Sequence, residues 1–177
     1  SIALDWILES DAIMNTSKKQ HLQRFVLAVL YYSTDGNKWI NNNGWLSDQD
    51  ECEWFFSITE ARACNDSGEL SELHLISNNI KGEIPWIEFA MLKSQLLGVH
   101  LSDNSIAGTV PSQLGLLTQL TSLDLSSNQI SGSIPSEFGL LRDLKYQNLA
   151  ANRLGGQIPI QISMMTSLET IQLSSNH

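Results

Sequence analysis

The chain has 177 residues, enough to bury a sizeable core as one domain or one short repeat array. Acidic residues outnumber basic ones 19 to 10, giving a formal charge of −9, and only 16% of the chain is charged. This balance argues against nucleic-acid binding, which needs clustered Lys and Arg, and the longest apolar run, Phe25 to Tyr32, is too short to span a membrane. The sequence opens at Ser1 without Met or a charged-then-apolar leader, and so reads as a mature or excised piece whose targeting segment lies out of view.

Residues 1 to 69 have no internal period and hold four of the five tryptophans. A short helix is expected over Ala3 to Ser10. Asn15-Thr16-Ser17 fits the N-glycosylation pattern, as does Asn65-Asp66-Ser67. Leu22, Phe25, Val26, Val29 and Leu30 fall at helical spacing, which predicts an amphipathic helix over roughly 17–32. Ser33-Thr34-Asp35-Gly36-Asn37 supplies turn residues that end it. Cys52 and Cys64 are either two free thiols or a disulfide closing a short loop.

From residue 70 a period takes over. Asn78, Asn104, Asn128, Asn152 and Asn176 are separated by 26, 24, 24 and 24 residues. The same pattern surrounds each one. In the third copy it reads Leu120, Leu123, Leu125, Asn128, Ile130, Gly132, Ile134 and Pro135. A fifth copy runs through Leu168, Ile171 and Leu173 to Asn176, and the sequence ends at His177. A fixed period in the twenties means a solenoid. Alternating apolar residues place both side chains on one face of a short strand, and stacked copies build a parallel sheet. The repeating Asn, with an amide donor and a carbonyl acceptor, can satisfy backbone groups stranded inside the coil. Gly permits backbone geometry denied to other residues, and the following Pro limits further pairing.

The run Leu-x-x-Leu-x-Leu-x-x-Asn-x-Leu/Ile-x-Gly-x-Ile-Pro resembles the plant-type leucine-rich repeat of receptor-kinase ectodomains and polygalacturonase-inhibitor proteins. The resemblance covers residues 70 to 177. It implies a right-handed α/β superhelix with a parallel concave β-sheet: a helical, Trp-rich N-terminal cap over 1–69, then about four and a half repeats over 70–177. Cys52-Glu53-Trp54 with Cys64-Asn65 resembles the family's cysteine-and-tryptophan cap, which favours the Cys52–Cys64 disulfide and folding in an oxidising compartment. Its spacing is longer than in plants, and with Tyr31-Tyr32-Ser33-Thr34-Asp35-Gly36-Asn37-Lys38-Trp39 the cap is more similar to that of diatom and other stramenopile proteins. Trp39, Trp45 and Trp54 could then cover the open end of the repeat core. Two departures stand out. Gln147 replaces an inward apolar residue, so that it either finds a backbone partner or marks a distortion. The stretch from Pro85 to Leu96, two residues longer than its counterparts, carries Trp86 and Phe89 and should bulge on the convex side.

The concave residues are the candidates for function. The central column reads His74, His100, Asp124, Asn148 and Gln172, flanked by Glu72 and Tyr146 among others. His74, His100 and Asp124 stand in a line over three strands ~4.8 Å apart, a poor tetrahedron, so no metal is assigned. No serine sits in a recognisable triad, and the glycines, one per repeat, form no phosphate loop. No catalytic residue and no cofactor is expected. The resemblance implies a non-catalytic recognition module, extracellular or lumenal, that binds a protein or peptide; a structural subunit of a larger assembly is the alternative. An ice- or carbohydrate-facing surface is a more distant third. The last repeat has a strand but no Gly-Ile-Pro half, so either the natural chain continues or a partner covers that end.

Overall fold

The computed structural model describes residues 17–54 and 63–177, together with Ala3 and Asp5, which are helical. The rest of the helix expected over Ala3 to Ser10, and Asn15 of the first glycosylation triplet, lie outside the described residues. Helix α1 spans Lys18–Ser33. The strands follow as β1 (Glu72–His74), β2 (Lys81–Gly82), β3 (Gly98–His100), β4 (Ser105–Ile106), β5 (Ser122–Asp124), β6 (Ser131–Gly132), β7 (Tyr146–Asn148), β8 (Arg153–Leu154) and β9 (Thr170–Gln172). β1, β3, β5, β7 and β9 form one parallel sheet in chain order, while β2 pairs with β4 and β6 with β8 along a second row. In the five-stranded sheet every pairing joins equivalent positions of consecutive repeats, whereas the two short pairings are offset by two residues, with Gly82 opposite Ile106 and Gly132 opposite Leu154. One inward row therefore runs Leu73, Val99, Leu123, Gln147 and Ile171. On the far side the chain turns through 3-10 helices over Ser112–Leu116, Ser136–Leu140 and Ile160–Met164. Pro111, Pro135 and Pro159 stand just ahead of these turns, where a residue without an N–H and with a fixed φ leads out of the ladder.

The ladder asparagines hold the turns together. Asn128 donates through Nδ2 to the carbonyls of Leu101, Leu125 and Ser126, and its Oδ1 accepts from the Ile106 N–H at 2.9 Å. Asn104, Asn152 and Asn176 accept in the same way from the N–H groups of Ile80, Ile130 and Leu154. Asn78 bonds instead to the Asn41 backbone, accepting from its N–H at 2.7 Å and donating to its carbonyl at 3.3 Å. That exchange splices the N-terminal segment onto the first repeat.

Helix α1 opens with a capping box: Ser17 accepts from the Gln20 N–H, and Gln20 accepts from the Ser17 N–H. Val26, Leu27, Ala28 and Leu30 are buried, with Leu22 and Phe25 at the margin. The buried face also holds Gln23 and Arg24, whereas Val29 stays half-buried, so the face differs from the apolar stripe of the sequence. Both polar side chains point at Glu51, itself fully buried. Arg24 Nε donates to Glu51 Oε2 at 2.9 Å and Gln23 Nε2 to Oε1 at 2.8 Å. Gln23 Oε1 accepts from the Leu70 N–H, reaching the start of the repeats. At the far end of α1, Gly82 lies under the Ser33 carbonyl with φ +99°, and a Cβ there would sit 2.7 Å from that oxygen. Only glycine allows this approach.

Trp39, Trp45 and Trp54 are buried in the same core as Leu70 and Leu73, with centroids 4.7 Å (Trp39–Trp45) and 5.7 Å (Trp45–Trp54) apart. Cys52 and Cys64 are joined by a disulfide with Cα atoms 5.5 Å apart. The longer stretch after Pro85 winds into helix α2 (Trp86–Phe89), and Trp86 and Phe89 are buried in the core.

Gln147 departs from both alternatives raised by the sequence. Its strand keeps register on both sides, yet neither amide atom has a hydrogen-bond partner among the described residues, although the residue is fully buried. The amide is enclosed by side chains of an apolar row, which offer nothing to bond. An unsatisfied buried amide costs about 1–3 kcal/mol. Gln147→Leu should therefore raise stability by roughly that amount, measured as a higher urea midpoint with an unchanged slope. An unchanged or lower midpoint would show that the amide is satisfied in solution.

Candidate functional site

Alternate residues of the sheet strands point away from the core and stand in columns set by the parallel register. Glu72 is opposite Gly98, Ser122 opposite Tyr146, and His74, His100, Asp124, Asn148 and Gln172 follow one another across the face. Inside, Leu73, Val99 and Leu123 are fully buried, so this face is held on rigid packing.

The candidate residues separate into two groups. In the first, the rings of His74 and His100 stack 4.5 Å apart with 6° between their planes. Their Nε2 atoms lie 3.5 and 3.6 Å from the same oxygen, Glu72 Oε2. Partial burial pushes the Glu72 carboxyl up, but hydrogen bonds from His100 and His74 and their positive charge outweigh it and bring it down to about 2. The carboxylate partner of the histidine pair is thus Glu72, not Asp124. In the second group, Asp124 Oδ1 accepts from the Ser126 hydroxyl at 2.6 Å and from its N–H at 2.9 Å. Asn148 Nδ2 reaches Asp124 Oδ2 at 3.4 Å and the Tyr146 hydroxyl at 3.2 Å. Gln172 is exposed at the next position of the column.

What the sequence reading passed over is Gly98. It occupies the column of Glu72, Ser122, Tyr146 and Thr170, where every other copy has a side chain. A Cβ on Gly98 would fall 1.7 Å from Glu72 Oε2, so the missing side chain leaves the space in which the Glu72 carboxylate lies. The break in the column was the available signal. Outside the sheet, Asn65 is exposed; its Oδ1 accepts from the N–H groups of Ser67 and Glu69, and its Nδ2 contacts the Glu69 carboxylate.

A family model described as Leucine Rich Repeat matches residues 119–141. No curated protein matches the chain. Among solved structures, a plant ice-binding protein superposes with a TM-score of 0.76 at 24% identity, over 92% of this chain and 50% of that one, a likeness of fold alone. The plant peptide hormone receptor RGFR1, in complex with RGF2, gives 0.59 at 38% identity, over 61% of this chain and 17% of the receptor chain. The BIR2 ectodomain from Arabidopsis thaliana gives 0.73 at 28% identity, over 85% of this chain and 78% of that one. This chain thus spans half of the ice-binding protein and under a fifth of RGFR1. With its period, its Asn ladder and its five-stranded parallel sheet, the chain is folded as an α/β solenoid of leucine-rich repeats, similar to those of plant receptor ectodomains.

Proposed function

We propose that this chain is a non-catalytic recognition module that binds a protein or peptide on its concave sheet, as part of a receptor-like ectodomain or a secreted protein. The observation that carries the reading is the concave face itself. Glu72, His74, His100, Asp124 and Tyr146 are part-exposed there, on strands whose opposite face is closed core. Such side chains can vary without disturbing the fold, and Tyr146 offers a large contact area at low entropic cost. The peptide-hormone complex of RGFR1 supports a peptide-sized ligand. The Cys52–Cys64 disulfide and the exposed Asn65 support an oxidising, extracellular or lumenal setting, with Asn65 as a glycan acceptor.

Peptides selected from a displayed library on the folded chain test this. The His100→Ala, Tyr146→Ala double variant should bind them about tenfold or more weakly, with unchanged circular dichroism. Undiminished binding would move the contact off the concave sheet. A second reading, a structural subunit of an assembly, is favoured by one feature of the opposite side. Leu116, Leu140 and Met164 occupy equivalent positions of successive repeats and are 47%, 46% and 43% exposed. Concentration-dependent self-association, lost when all three become Ser, would support it.

A further inference from the structure

We propose that Glu72, His74 and His100 form a binding site for one divalent transition-metal ion, with zinc the best match. The three donor atoms lie within 4.8 Å of one another. Zinc bonds of ~2.0–2.1 Å in a tetrahedron separate the donors by ~3.3–3.4 Å. The Nε2 to Oε2 distances of 3.5 and 3.6 Å are already close to that edge. Two imidazoles and a carboxylate form a borderline donor set suited to zinc, and copper or nickel would compete for it.

The site is built by the backbone rather than by chance proximity. Parallel register sets His74 directly beside His100 on neighbouring strands. Gly98 vacates the volume over β3 that the Glu72 carboxylate fills, so one carboxylate reaches both histidines. No Lys or Arg occupies an outward-facing position of β1, β3, β5, β7 or β9, so no fixed cation of the sheet competes for that carboxylate. Asp124, the other acid of the column, is held by Ser126 and Asn148. The side chains of His74, His100 and Glu72 are 20%, 19% and 30% exposed, shielded yet reachable. Coordination requires the two rings to tilt out of their parallel stack, a rotation about the soft χ2 torsion. Three protein donors leave a fourth position open toward the concave groove, which a water molecule would fill.

Calorimetric titration of the untagged, chelator-stripped chain with zinc chloride tests the site. The expected result is one ion per chain, with binding weakened about tenfold or more by His74→Ala, by His100→Ala and by Glu72→Gln. Gly98→Ala should weaken it as well, because the new methyl displaces the carboxylate without removing any donor. His21→Ala and His177→Ala serve as controls and should bind as the parent chain does. Zinc should also raise the melting temperature of the parent chain, but not that of the His74→Ala, His100→Ala double variant. Equal zinc binding by the parent and the double variant, or no binding by a parent chain with native circular dichroism, would overturn the site.

Discussion

Glu51→Ala is expected to destabilise the fold by about 3–5 kcal/mol, because it strands a buried charge. Arg24 is 2% exposed and Glu51 fully buried, so neither can recover its partner from water. Without the carboxylate, Arg24 keeps the Gln49 carbonyl at 2.5 Å and the Trp54 face at 5.4 Å, but nothing balances its charge. Gln23 loses one of its acceptors in the same step and keeps the Gly68 carbonyl. The pair itself need not stabilise the protein. Replacing both partners by apolar groups, as Arg24→Met with Glu51→Leu, should return most of the loss, since desolvating two ions costs about what their attraction returns. Guanidinium denaturation of the two single variants and the double variant measures this. A loss under ~1 kcal/mol in Glu51→Ala would mean that water reaches the pair.

Asn128→Ala is expected to cost about 2–4 kcal/mol, most of it for one stranded buried donor. It removes the only acceptor found for the Ile106 N–H among the described residues, and one of two amide donors to each of the Leu101 and Leu125 carbonyls, which keep Asn104 and Asn152. Each stranded buried backbone group costs about 1–3 kcal/mol. The same substitution at Asn176, half-buried and at the last described turn, should cost visibly less, since water can replace its bonds. Thermal or urea unfolding of the two variants decides it. Equal losses at the two positions would show that enclosure does not set the cost.

The difference between these two sites shows what was legible in the sequence. The asparagines announce themselves by a period, and period is what a sequence displays: strand positions, inward rows and concave columns all followed from it. The Gln23, Arg24 and Glu51 cluster has no period. Its members lie on a helix and a separate loop, and only the packing of α1 against that loop brings them together. Arg24 reads as a solvated charge on a helix face until that packing is known. The grouping of Glu72 with two histidines lay between these extremes. All three were placed on the right face, but a straight line of central residues pointed to Asp124. The lateral reach of Glu72 over Gly98 depends on an absent side chain, and a pattern of retained residues does not register it.

The clustering of the indole rings at the start of the solenoid has an optical consequence. No tryptophan occurs after Trp86. Emission excited in the indole band therefore reports on the N-terminal segment and the first repeat, and is blind to the later ones. Far-ultraviolet dichroism and amide exchange sample the whole backbone. Where the two kinds of signal trace one curve during melting, the array unfolds as a unit. Where they separate, the order of the curves tells which end lets go first, without the introduction of any label.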